Sequence, residues 1–268
     1  MKKTKQIFKK EEKFHDNWAH SININSLMVD ESFEACTSPE NRYILKKLGN
    51  LRGKKVLELG CGAGEASVYL AKKGAIVTAT DLSNGMLIVV KKLAKKYKVK
   101  VNTVQCRSDK LPFPDASFDV VYAANLMHHV EHEPTLRESY RVLKKGGVFV
   151  SYDPLAHNPI INIYRKMAMG VRTEDEAPLK MRDIKGFKKI FSKVEYSTFW
   201  FFTLWIFIRF YLIERVNPNK ERYWKKILIE HKRLEKTYKR LEKMDKILFK
   251  ILPFMKKYCW NIVIIAKK

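Results

Sequence analysis

The stretch Val56-Leu-Glu-Leu-Gly-Cys-Gly-Ala-Gly64 constrains the fold more than any other part of the chain. A short apolar run ends at Leu59, three glycines follow at alternate positions, and a helical pattern starts at Glu65. Glycine has no β-carbon, so a loop built from it can turn sharply and bring its backbone against a ligand. The helix that follows offers unpaired N–H groups at its start. A buried strand feeding a helix needs similar neighbours to cover both of its faces, and the sequence supplies them. Residues 55–59, 76–80, 99–106, 118–123 and 148–152 read as short, Val-rich strands, with helices over 65–73, 83–96 and 134–143 between them. Gly74 and the Gly146-Gly147 pair stand where those helices should end. Strands alternating with helices imply right-handed crossovers and a mostly parallel sheet.

Upstream, Ser38-Pro39-Glu40 opens a helix running to Leu48, with Ser38 as its N-cap and Pro39 in its first turn. Downstream, 153–189 is irregular and proline-bearing. Residues 192–199 and 259–266 read as two last strands, separated by about 60 mostly helical residues. The expected fold is therefore a doubly wound α/β domain with a mostly parallel, seven-stranded sheet. It carries an N-terminal helical flap (1–52) and a helical insertion (about 200–256) before the last strand. The core would span 53–152, a lid 153–191, and the closing strands with their insertion 192–268.

The glycine spacing is G-x-G-x-G, not the G-x-G-x-x-G of dinucleotide sites, and an acid, Glu58, precedes it by two residues. A carboxylate there would repel a pyrophosphate but suits a ligand carrying an ammonium or sulfonium group. This pattern resembles motif I of the Rossmann-like (class I) S-adenosylmethionine methyltransferases. The resemblance runs from about residue 39 to 151. It includes Asp81 after the second strand, Ser108-Asp109 after the third, and Leu111-Pro-Phe-Pro-Asp-Ala-Ser-Phe-Asp119 before the fourth. Asn125 and Met127-His-His-Val130 follow the fourth strand, and Leu143-Lys-Lys-Gly-Gly147 precedes the fifth. It is closest in kind to the type 11 methyltransferases of ubiquinone and menaquinone pathways. It implies S-adenosylmethionine as cofactor, held by Glu58, Gly60, Cys61, Gly62 and Gly64. Asp81, Leu82, Met86, Ser108, Asp109 and Asn125 would complete the site, with Asp81 on the ribose and Asp109 toward the adenine. Cys61 reads as a small filler of the loop rather than a nucleophile.

Ligands of open α/β sheets bind beyond the carboxyl ends of the strands. His128, His129 and His157 leave that edge and are the candidate proton acceptors for an acceptor hydroxyl. His157 sits in Asp153-Pro-Leu-Ala-His-Asn-Pro159, where Asp153 is placed to orient it. Some quinone-pathway O-methyltransferases carry metal-binding acids after strand four. This chain has Asn125 and His128 there, so no metal is expected.

The chain carries 53 Lys plus Arg against 28 Asp plus Glu, a net charge of +25, which points to a polyanionic partner. Its four cysteines are scattered without a C-x-x-C pair, against a disulfide framework or zinc knuckle and in keeping with a reducing cytosol. The Lys-rich start lacks the apolar core of a secretory signal. Residues 199–213 are almost wholly apolar, with aromatics at eight of fifteen positions. As a helix they would reach only about 22 Å, short of a membrane span. Beside them 219–250 reads as one long basic amphipathic helix with Ile227, Leu234, Tyr238, Leu241 and Leu248 on its apolar face. Together these read as an interfacial membrane anchor, with a buried helix or dimer contact as the plain alternative for 199–213.

The expectation is a methyltransferase, cytoplasmic and peripheral on the inner membrane face. It would methylate a hydroxyl or carbon of a lipid-like or isoprenoid acceptor. The rivals are a methyltransferase of a soluble small molecule or RNA, and a non-catalytic S-adenosylmethionine-binding scaffold. Nucleic acid is the weaker partner, because the aromatics cluster in one apolar run instead of interleaving with the basic residues. No feature sets an oligomeric state.

Overall fold

A computed structural model describes residues 2–167 and 177–268, with side chains from residue 9 onward. Among them, β1 (Lys55–Leu59), β2 (Ile76–Asp81), β3 (Val101–Gln105), β4 (Phe118–Ala124), β5 (Leu143–Pro154), β6 (Lys193–Phe199) and β7 (Asn261–Lys267) form one sheet. Its order is β3-β2-β1-β4-β5-β7-β6. All neighbours pair parallel except β7, which runs antiparallel between β5 and β6. The doubly wound, mostly parallel sheet read from the sequence is present.

The helices are α1 (Lys2–Ser21), α2 (Glu31–Glu34), α3 (Pro39–Leu48), α4 (Glu65–Lys72), α5 (Asn84–Lys96) and α6 (His132–Val142). They continue as α7 (Pro159–Met167), α8 (Ile184–Ile190), α9 (Trp205–Leu212), α10 (Tyr223–Ile229) and α11 (His231–Ile251). Strand alternation sends Leu57, Leu59, Val121 and Phe149 into a core with Leu136 of α6 and Phe187 of α8. Val56, Val77, Val120 and Tyr122 face the other way, onto Ile44 of α3, Val68 of α4 and Leu93 of α5. Both faces are covered, as a parallel sheet requires.

Several sequence expectations are corrected. Ser38 occupies the cap position of α3 but makes no side-chain cap bond; its hydroxyl donates to the Ser32 carbonyl instead. α6 ends at Val142, so Gly146 lies at the irregular start of β5 and not at the helix end. The long basic helix is two helices that part at Glu230. Its apolar positions are not an open face, since Ile227, Leu234 and Tyr238 pack into a third core with Trp200, Phe207 and Phe210. The segment 199–213 is divided: Trp200, Leu204, Ile206, Phe207 and Phe210 are buried, whereas Trp205, Tyr211, Leu212 and Ile213 are exposed. Among the described residues, no helix is long and apolar enough to cross a membrane.

The N-terminal part lies over the sheet's carboxyl edge. Asp16 of α1 accepts hydrogen bonds from the Ser83 hydroxyl and, at 3.0 Å, from the Gly85 N–H, which fixes α1 on the start of α5. Within the 153–191 lid, Leu155, Leu179, Ile184 and Phe187 are buried in the sheet core. Residues 168–176 of that lid, and Met1 of the flap, lie outside the described residues.

Candidate active site

The loop after β1 folds as its glycines dictate. Gly60, Gly62 and Gly64 have φ of 63°, 49° and 84°, in the left-handed region. A β-carbon on Gly60 would come within 2.8 Å of a Leu126 methyl, and one on Gly64 within 2.6 Å of a Val90 methyl. Gly60 thus packs against the turn after β4, and Gly64 against α5. At the end of β2 the Asp81 carboxylate accepts the Gly62 N–H at 3.0 Å and the Ser83 N–H at 2.9 Å. Burial pushes Asp81 above the usual carboxylate range.

Two cavities open on this loop. The smaller, about 110 Å³, is lined by Gly60, Gly62, Asp81, Leu82, Ser108 and Asn125. The larger, about 810 Å³, takes in Glu58, Gly60, Cys61, Gly62 and Asn125 and continues between α1 and α10. A volume near the upper end for small-molecule sites is room for two ligands side by side. Glu58 is buried on its wall, accepts from the Ser67 hydroxyl, and is pushed up to about 8 by desolvation. The Cys61 thiol is buried against Ala79, Leu87 and Val90, and desolvation first, then the nearby Asp81 and Glu58 charges, push it far above the ordinary thiol range. A thiol so placed is a filler.

Asn125 holds a left-handed φ of 51°, which asparagine tolerates, and its side-chain amide donates to the Tyr152 hydroxyl at 2.9 Å. His128 and His129 follow on the turn, and both line the larger cavity. Their rings lie 4.1 Å apart. Nδ1 of His128 stands 2.9 Å from Oδ1 of Asp153, which also accepts the His128 backbone N–H at 3.3 Å. Asp153 has no exposed surface, and burial raises its carboxyl well above the usual range. Asp153 therefore orients His128, not His157 as the sequence implied. His157 lies outside both cavities, where its ring accepts the Met181 N–H at 3.3 Å.

Three other sequence candidates are placed away from the cavity walls. Met86 is fully buried beneath Ala19 of α1. Asp109 is engaged by the Arg107 guanidinium through two nitrogens. Gly64 caps α4 and faces Val90.

The structure also brings to the larger cavity groups that sequence reasoning missed. Glu40, in the first turn of α3, is buried and accepts from Asn261 Nδ2 at 2.6 Å. Desolvation pushes it up to about 7. Its neighbour Asn41 accepts the Tyr122 hydroxyl at 2.8 Å. Trp200 and Trp260 stand beside them in the wall, and His15 and Trp18 of α1 close it from above. An acid in a first helical turn ordinarily signals only the helix dipole, so nothing local marked Glu40. Among the described residues, no group of three or more His, Cys, Asp and Glu side chains could hold a metal ion.

The arrangement suits S-adenosylmethionine. A glycine-rich backbone cradle and the Asp81 carboxylate share the smaller cavity, and the buried acid Glu58 lies on the wall of the larger one. Comparison with known proteins agrees. Residues 57–151 match the methyltransferase domain family. A sterol 24-C-methyltransferase of Gibberella zeae is 34% identical over 143 residues, covering 51% of this chain and 37% of that protein. A ubiquinone biosynthesis O-methyltransferase of Coxiella burnetii is 35% identical over 108 residues, covering 40% of this chain and 45% of that protein. The chain thus spans less than half the length of either relative. The fold extends further: phosphoethanolamine N-methyltransferase 2 of Haemonchus contortus, solved with S-adenosyl-L-methionine, superposes with a TM-score of 0.57 at 21% identity. That match covers 86% of this chain and 52% of that one. Residues 57–151 are a methyltransferase domain.

Proposed function

We propose that the chain transfers the methyl group of S-adenosylmethionine to a hydroxyl or carbon of a lipid-like or isoprenoid acceptor drawn from a membrane surface. The observation that carries this reading is the larger cavity. It begins at the cofactor loop and runs on between aromatic walls, Phe14, Trp18, Phe33, Tyr122, Trp200 and Trp260 among them. Such walls favour an extended apolar acceptor over a polar one. The acceptors printed in the names of two relatives, a sterol and a ubiquinone precursor, are of that kind. The exposed Trp205, Tyr211, Leu212 and Ile213, on a chain of charge +25, support contact with an anionic bilayer. That contact would put the protein on the cytoplasmic membrane face.

When bound, the cofactor supplies an electrophilic methyl on a sulfonium. Glu58 stabilises the positive charge of the ligand once its own proton leaves. The Asp81 carboxylate holds the sugar. Asp153, against Nδ1, would hold the His128 ring in place, and that ring would take up the proton of an acceptor hydroxyl. The aromatic walls and α1 exclude water and align the acceptor for in-line displacement.

The test is incubation with labelled S-adenosylmethionine and a total lipid extract, followed by organic partition. Label in the organic phase is the expected result. Label confined to an RNA or aqueous fraction overturns the acceptor class. Cofactor binding without label anywhere would favour the scaffold reading.

A further inference from the structure

At the mouth of the larger cavity stands an arginine with which no carboxylate pairs among the described residues. Arg222, just before α10, lines the cavity and is half-buried. Its guanidinium lies 4.8 Å from the ring centre of Trp18 and 6.0 Å from that of Trp224. Burial lowers its pKa, and among the described residues no carboxylate pairs with it. Elsewhere in the helical insertion Arg209 pairs with Glu214 at 3.0 Å, and Arg233 with Glu214 and Glu230. The acid nearest in sequence, Glu221, also lines the cavity but bonds Lys226 at 3.3 Å. Lys220 and Lys225 line the same wall, the latter 3.4 Å from the Ser26 hydroxyl.

Aromatic faces hold a guanidinium in place without neutralising it. A partly desolvated, always-charged fork with two lysines beside it is a seat for a phosphate or carboxylate. We infer that Arg222, set between Trp18 and Trp224 and flanked by Lys220 and Lys225, binds an anionic group of the acceptor at the cavity mouth. The acceptor is then a lipid-like molecule with an acidic head, its apolar body reaching inward past Trp200 and Trp260 toward His128. This assignment rests on the acceptor reading above, and narrows it.

The test uses the full chain saturated with S-adenosylhomocysteine, titrated with dodecyl phosphate, dodecanol and inorganic pyrophosphate. Calorimetry reads affinity. Dodecyl phosphate should bind at least about tenfold tighter than dodecanol, with a preference that shrinks as salt rises. Arg222→Gln should abolish that preference, and Arg222→Lys should keep part of it. Arg215→Gln, at an exposed arginine of the insertion outside the cavity lining, should leave it intact. Equal binding of the two chains, or a preference that survives Arg222→Gln, overturns the inference. Pyrophosphate binding as tightly as dodecyl phosphate would assign the seat to a free phosphate compound and overturn the lipid headgroup. Because these are binding measurements, a phosphate preference lost in Arg222→Gln would stand even if no label entered the lipid fraction. The acceptor reading would then fail alone.

Discussion

The cofactor half and the acceptor half of this molecule are built in opposite ways. The first uses consecutive residues at the ends of β1 to β4, where each strand delivers its own loop to the same edge. The second is assembled from α1, the first turn of α3, the start of α10 and the start of β7, which lie far apart in the chain. Asn261 reaches Glu40 across 221 positions of sequence. A site made of contiguous turns can be recognised locally and tolerates little change. A site gathered from distant elements leaves no local signature and can vary with the acceptor.

The largest effects should fall on the contiguous half. Gly60→Val places a β-carbon where Leu126 stands and where φ is left-handed. Calorimetry should show S-adenosylmethionine affinity reduced more than about a hundredfold. If affinity survives, the loop is not the cradle. Next, Asp153→Asn should lower methyl transfer by about two to three orders of magnitude at unchanged cofactor affinity, because an amide donating to Nδ1 holds His128 in the other tautomer. A parallel His157→Ala should do little. Equal losses in both variants would erase the distinction between the two histidines.

A third prediction is electrostatic. Glu58, held near 8, is largely protonated at neutral pH in the unliganded protein. A cationic ligand favours its ionised form, so affinity should rise by up to about tenfold per pH unit below that value. Glu58→Gln should flatten the difference. The same shift has a stability consequence with a definite sign. The folded state holds protons on Glu40 and Glu58 that the unfolded chain has released above its ordinary carboxyl range. Unliganded stability should therefore decline as pH rises through about 7 and 8. Denaturant melts at about pH 5.5 and about pH 8.5 would check it. The smallest effect belongs to the membrane contact. Leu212→Ser with Ile213→Ser should reduce flotation with anionic vesicles by about tenfold, leaving cofactor affinity untouched.

Legibility follows the same division. The sheet is legible because strand periodicity marks its members, whereas Asp81, Ser108, Asn125 and the two cavity histidines are named with the help of the family resemblance, and the structure lines the two cavities with them. At Asp109 the structure adds a partner that the spacing does not announce: Arg107, two residues away, pairs with its carboxylate. Met86 has the right position, but α1 covers it, and α1 announces itself only as a Lys-rich helix. The aromatic run 199–213 reads as uniformly apolar, yet packing against α10 and α11 buries one side and leaves Leu212 and Ile213 outside. Glu40, Trp18 and Arg222 lie in three unrelated helical contexts, and only tertiary packing brings them to one cavity.

The most direct test of the account is a crystal structure of the chain with S-adenosylhomocysteine. The adenosyl group should lie in the smaller cavity against Asp81 and Ser108, with the sulfur at the Gly60–Gly62 loop opening toward His128 in the larger one. An adenosyl group elsewhere, or a sulfur turned away from the larger cavity, would contradict it.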